Sequence, residues 1–302
     1  MKLIERSADA THILRATPAT ISVTFYGGSD TDTDTADPGV VTATITAANG
    51  TEVVTNAATQ GAGAAARMLD LTATETANVD LWDVAWTSPT LGTVTTQVEI
   101  VGALLFTIPE ARAFDKGQLG DSTKYPDAAL ASTRARILDE FERICRMAFV
   151  PRYRRLILDG EGGRQLRLWD TRVTKIREAG LRYRGQVTPT PLTTAELADL
   201  TLDYGGVVTR DSLGWWWPGD NNITIAYEYG YAQPPQAIRR AALILAVNQL
   251  KPTDLGDRTM SISSEAGTFR LATAGMGQGN WFGLPLVDSV LDQYRDPLFE
   301  VG

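Results

Sequence analysis

The chain has 302 residues, 43% hydrophobic and 21% charged, with a formal net charge of −8. This composition supports a packed core and excludes wholesale disorder, and the length predicts two domains because single cores stop growing near it. An acidic chain is not a general DNA-binding protein. One histidine and one cysteine exclude an intrachain disulfide and a His/Cys zinc cluster.

The opening "MKLIERSADA" lacks the apolar run of a signal peptide. His12, in "DATHILRAT", is the histidine any Ser-His-Asp or Cys-His mechanism would have to use; a solvated or turn-satisfied histidine is expected instead. Residues 1–109 carry four bases (Lys2, Arg6, Arg15, Arg67) against twelve acids, so the whole net charge lies there and 110–302 is neutral. That asymmetry marks a separate module. The stretches 20–26, 39–47, 81–87 and 94–102 alternate apolar and polar residues between Gly, Asn and Pro turns, and Asn49-Gly50 is a hairpin signal. An immunoglobulin-like β-sandwich over 1–108 is expected. Asp30, Asp32 and Asp34 have the spacing of half a calcium loop, but Thr35 and Val41 stand where Gly and Glu are needed. A solvated acidic loop is expected, and no metal.

Residues 126–148 start at Pro126 and place Leu130, Ile137, Phe141, Ile144 and Ala148 on one helical stripe. Cys145 lies on that side and reads as a small core residue. "RYRRLILDG" and "RQLRLWD" follow, joined by a hairpin loop at "GEGG" (160–163). Arg152, Arg154 and Arg155 beside Tyr153 resemble a nucleic-acid surface only locally; long arginine stems over a core edge or at a subunit contact are expected in this acidic chain. A buried helix is expected at 234–251. Its run "AALILAV" (241–247), the longest apolar one, is too short to cross a bilayer, so no membrane contact is expected. Residues 254–283 read as a long flexible arm, in which "GMGQG" (275–279) lacks the ending of a phosphate loop, and a short helix closes the chain. Helices with antiparallel strands in this order predict an α+β fold.

"SLGWWWPGDNNITIAYEYGY" (212–231) sets Trp215 and Trp217 on one strand face and Trp216 on the other, before a type II turn candidate at 217–220. Burying three indoles is worth on the order of 10 kcal/mol, so packing on both faces is expected, part of it against a neighbouring subunit.

The second region resembles the head–tail connector (adaptor, head-completion) proteins of long-tailed bacteriophages. The resemblance rests on "FTIPEARAFDKGQLGDSTKYPDAAL", "EFERICRMAFVPRYRRLILDGEGGRQLRLWDTRVTKI" and "NNITIAYEYGYAQPPQAIRRAALILAVN", about half the chain. The N-terminal segment, with "LWDVAWTSPTLGTVTTQVEIVG", is similar to the sandwich preceding such connectors in some actinobacterial phages. The extra sandwich, the "VTPTPLTTAELADL" insertion and the 254–283 arm depart from compact members. The resemblance implies a mainly helical connector domain with β-hairpins over 109–302 and a non-enzymatic structural protein without cofactors. It implies a homo-oligomeric ring of twelve subunits in the virion neck, assembled in the host cytoplasm. Portal and stopper or tail-terminator proteins are the implied partners, with viral DNA passing through without sequence-specific binding. On it, helix 126–148 lines or braces the ring, and the end of the chain, with Pro297, Leu298 and Phe299, docks on the portal. The interface residues expected are those three with Trp215, Trp216, Trp217, Arg152, Arg154 and Arg155. Competing readings are a glycan-binding accessory protein using the sandwich and exposed tryptophans, and a glycoside hydrolase using a carboxylate pair such as Glu196 and Asp199.

Overall fold

Chain-order alternation of small β-branched residues produces strands from the start of the computed structural model, which describes residues 11–26, 36–183, 185–203, 205–210, 214–251, 261–264, 267–270 and 281–295. The first eight are β1 (Thr11–Leu14), β2 (Ala19–Thr24), β3 (Thr42–Ala47), β4 (Glu52–Ala58), β5 (Gln60–Gly61), β6 (Ala66–Leu71), β7 (Asp80–Ser88) and β8 (Gly92–Val101). Then come α1 (Ile108–Ala113), a 3₁₀ turn at Asp115–Gly117 and α2 (Asp127–Cys145). Next are β9 (Arg152–Gly160), β10 (Gln165–Arg167), β11 (Val173–Leu181), β12 (Thr190–Pro191), α3 (Thr194–Ala198), β13 (Leu200–Leu202), β14 (Val207–Arg210) and β15 (Gly219–Tyr229). The chain closes with α4 (Gln236–Leu250), β16 (Ser261–Ser264), β17 (Gly267–Arg270) and α5 (Pro285–Tyr294). These fall into two units, the described residues of Met1–Ala103 with Val150–Ala232, and those of Leu104–Phe149 with Gln233–Gly302.

In the first unit, one sheet runs β1-β8-β7-β3-β4 and a second β2-β6-β5. Period-two patterning sends Ile45 of β3, Trp82, Val84 and Trp86 of β7, and Ile21 and Val23 of β2 into one apolar core. The Asn49-Gly50 hairpin forms between β3 and β4, with Gly50 at φ 87° donating to Ala47 O at 2.8 Å. An unforeseen feature is β1, which joins β8 in parallel and sets His12 level with Glu99.

The same unit holds two further sheets, β12-β11-β15-β9 and β10-β14-β13. One face of β15 carries Ile223, Ile225, Tyr227 and Tyr229, all buried, as its alternation predicts. Here the α+β expectation of a sandwich followed by a mainly helical connector domain is overturned. The chain is mostly β, 39% strand against 24% helix, and β9 to β15 intervene between α2 and α4. Residues 219–229 are rich in β-branched and aromatic residues, and 152–160 and 173–181 pair along either side of them as strands too long for accessory hairpins. The loop at 160–163 is no hairpin either: β9 pairs with β15 and β10 with β14, so "GEGG" carries the chain from one sheet to another.

The second unit is helical, with β16 and β17 pairing antiparallel. A capping box starts α1: Glu110 N donates to Thr107 Oγ1 at 3.3 Å, and Thr107 N to Glu110 Oε2 at 2.7 Å. Leu130, Ile137, Phe141 and Ile144 form the buried stripe of α2, which ends at Cys145 because Arg146 turns left-handed at φ 55°. This helix packs on α4 and α5. Phe141 meets Phe282 at 5.8 Å between ring centroids, and Phe149 meets Tyr294 at 5.7 Å. No helix among the described residues is long and apolar enough to cross a membrane.

Candidate functional site

The tryptophan segment is held by its backbone at every residue. Trp215 O accepts from Arg210 Nη1 at 3.4 Å. Trp216 N donates to Gly163 O at 2.8 Å, while Trp216 O accepts from Gly162 N at 3.0 Å. Trp217 O accepts from Asn222 Nδ2 at 2.7 Å, and Asn222 Oδ1 in turn accepts from Gly160 N at 2.8 Å. Asn222 is itself buried, so both ends of its amide are satisfied inside the protein. Gly160 is required because a Cβ there would collide with the Trp217 carbonyl. The two glycine-bearing turns singled out separately in the sequence are therefore one structure, and the "GDNN" that follows the tryptophans is part of the clamp.

Alternation places the three indoles as the sequence predicts, and within the chain itself only one face packs. Trp216 is fully buried, whereas Trp215 and Trp217 are 55% and 54% exposed. The Trp216 Nε1 donates to Val208 O at 3.4 Å, and the Arg210 guanidinium lies 5.5 Å from the ring centroid. Trp217 touches the exposed Tyr183 edge to face at 6.4 Å. The turn differs too: Gly219 has φ 156°, not the roughly +80° of a type II turn. Two extra residues enter β15 between Gly219 and Ile223, with Asn221 at φ 49°. Asp159 Oδ1 accepts from Asn221 N at 2.5 Å and holds that bulge.

The arginines at 152, 154 and 155 do not form one basic patch. Arg152 is buried and pairs with Glu99, whose carboxylate lies 3.3 Å from His12 Nε2. His12 is thus a core residue rather than a solvated one. Arg154 bonds Asp170 at 2.9 Å and Tyr229 Oη at 3.2 Å, and the Tyr227 hydroxyl donates to the same carboxylate at 2.6 Å. Burial lifts the Asp170 carboxyl above its ordinary range, with Arg154 and Tyr227 pulling it back. Arg155 points to the opposite face of β9 and lines a separate hollow with Arg177. Pro297, Leu298 and Phe299 lie outside the described residues, as do Asp30, Asp32, Asp34 and the glycines of 275–279.

The groups proposed for catalysis are otherwise engaged. Glu196 closes the capping box of α3 with Thr193 and takes Arg210 Nη2 at 3.2 Å. The backbone N–H of Thr193 is the main cause holding its carboxyl below the usual range, which opposes a general acid's need for a raised one. Burial, with Asp292 and Glu142 nearby, pushes the Cys145 thiol up to about 12, far from a thiolate nucleophile. Among the described residues no group of three or more His, Cys, Asp and Glu is placed to hold a metal.

No family model matches the chain, and no curated protein matches it. Among solved structures, it is similar to a chain of the neck of an empty GTA particle computed with C6 symmetry. The two are 18% identical with a TM-score of 0.37, over 56% of this chain and 78% of that one.

Proposed function

We propose that the protein is a non-enzymatic structural component of a virion neck, forming a ring that joins capsid to tail. The observation carrying this reading is the clamped tryptophan segment. A buried Trp216 and three sets of backbone bonds hold Trp215 and Trp217 rigid while leaving about half of each indole uncovered. Rigid aromatic side chains lose little conformational entropy on docking and recur as the anchors of protein interfaces. The occupant proposed is the next copy of this chain. The sequence resemblance to head–tail connectors supplies the rest of the reading: twelve subunits, a portal above, a stopper or tail terminator below, and DNA passing through an acidic to neutral channel without binding.

Electron microscopy of particles made when a nonsense codon interrupts this gene in its phage tests the reading. Filled heads beside finished, unattached tails are expected. Intact tailed particles would overturn it.

The half-exposed indoles also favour a second reading, glycan binding by a virion accessory protein. A blue shift of indole emission on adding host cell-wall saccharides, in protein that stays monomeric, would support that reading over the ring.

A further inference from the structure

The first unit contains a hollow of about 240 Å³ on the face of β9, β11 and β15 opposite the Tyr227 side. Its floor carries Arg155, Thr224 and Gly180, which stand on the same side of neighbouring strands. Its far wall is the turn from Thr188 to Leu192 together with Leu197 of α3. Gly180 lets that wall close down: a Cβ there would sit 3.2 Å from Pro189 Cβ, and Leu192 N donates to Ala179 O at 2.7 Å.

Three charged side chains face the hollow, and two already have partners. Arg177 Nη1 lies 2.6 Å from Glu228 Oε1, and Glu178 Oε1 accepts from Asn49 Nδ2 at 3.2 Å. Arg155 differs. Its Nε–H is buried and meets no acceptor among the described residues. That atom is closed to solvent, so an acceptor entering the hollow would meet the other guanidinium N–H groups of this half-buried side chain. The Thr188 and Thr224 hydroxyls add neutral donors at the same site, while Pro189, Pro191, Leu192 and Leu197 make the opposite side apolar.

We propose that this hollow binds a carboxylate with a short branched apolar body, the carboxylate on Arg155 and the body against Leu192 and Leu197. A planar carboxylate matches the guanidinium fork, and the charge assistance makes such bonds the strong ones. Two sources share this chemistry, a free acid and the carboxyl terminus of a peptide ending in leucine.

The test is calorimetric titration of the full chain with 4-methylpentanoate, alongside 4-methylpentan-1-ol, which lacks the charge, and acetate, which lacks the body. N-acetyl-leucine and N-acetyl-leucinamide represent the peptide terminus. 4-Methylpentanoate is expected to bind at least about tenfold more tightly than the alcohol or acetate, the difference one charge-assisted contact makes. Arg155→Met, which keeps the stem, is expected to lose that tenfold with an unchanged melting temperature. Leu197→Ala, on the half-buried wall, gives a second reading that does not depend on Arg155, and weakening of the acid by it is expected. N-acetyl-leucine exceeding the free acid assigns the site to a peptide terminus, and the reverse assigns it to a small acid. No binding at millimolar acid, equal binding of the alcohol, or indifference to both variants overturns the proposal.

Discussion

The sandwich of β1 to β8 and the sheets of β9 to β15 belong to one unit but are held by different chemistry. The sandwich core is a cluster of aliphatic and aromatic side chains, with Trp82 and Trp86 at its centre. The later sheets carry ionic groups inward: Arg152 on Glu99, Arg154 on Asp170 beneath Tyr227, and Arg177 on Glu228. Apolar burial is non-directional and tolerates small shifts. A buried ion pair tolerates little, because losing one partner strands the other charge.

The largest effects should therefore come from opposite kinds of change. Trp86→Ala opens a cavity in the sandwich and leaves Thr96 Oγ1 without the indole N–H it accepts at 2.9 Å; a loss of about 3–5 kcal/mol in urea unfolding is expected. Arg152→Ala should cost a similar amount, about 3–5 kcal/mol, by leaving the Glu99 carboxylate buried beside His12. What separates the two is the rescue. Replacing both Glu99→Leu and Arg152→Met removes the stranded charge, so the double variant should be more stable than either single one. A double variant as damaged as the sum of the singles would show that this pair behaves like packing, and the contrast would fail.

Next in size is Gly160→Ala. The added methyl group meets the Trp217 carbonyl, so the end of β9 or the tryptophan segment must move; overpacking of this kind costs roughly 1–3 kcal/mol. Because the clamp fixes two exposed indoles, tryptophan emission should change along with the urea midpoint. An unchanged spectrum with unchanged stability would mean the clamp is not rigid.

These particulars explain what was legible beforehand. Strands with strict alternation, such as residues 42–47 and 80–88, were readable because period two is written in the residue types themselves. So was the α2 stripe, and so was the opposite facing of Trp216 and its neighbours. The balance of strand and helix was not. Segments like "RYRRLILDG" mix arginine into inward positions, and only the folded chain shows that Asp170, between β10 and β11, and Glu99, on β8, neutralise them. Of the candidate site, the tryptophans were visible, but Gly160 was not, because its bond to Asn222 spans 62 residues, and Arg210 and Asn222, each five residues from the tryptophan it holds, belong to no turn or cap pattern that marks them. A conspicuous basic run likewise gave no hint that its three arginines diverge.

In the helical unit the expected effect is smaller and depends on pH. Thr107→Ala removes the side-chain half of the α1 capping box, a loss of about 1 kcal/mol. The Thr107 backbone N–H is the main cause holding the Glu110 carboxyl below its ordinary 4.5, with the Thr107 hydroxyl and Arg239 assisting. A carboxyl lowered in the folded state contributes stability that is complete above its unfolded value and disappears as pH falls through the folded one. Urea midpoints of the parent should therefore fall as pH drops below 4.5, and less steeply in Thr107→Ala. Parallel slopes would remove the Thr107 hydroxyl from the account and leave the backbone N–H as what holds Glu110.

The smallest effect on stability is expected where the proposed effect on assembly is greatest. Trp215→Ala and Trp217→Ala each remove an indole that is about half uncovered and whose backbone the clamp holds, the Trp217 ring meeting only the exposed Tyr183 among the described aromatic rings. Either change should leave the urea midpoint within about 0.5 kcal/mol of the parent. If those indoles anchor a neighbouring copy, both variants together should shift the sedimenting species from a ring toward the monomer at the same protein concentration. Trp216→Ala is the internal control, since its ring is wholly buried and its loss should cost about 3–5 kcal/mol of stability. Rings that persist in the double variant would confine Trp215 and Trp217 to an outward surface and move the subunit contact elsewhere. Monomers that keep full stability would separate the anchoring role of the two exposed indoles from the structural role of the one between them.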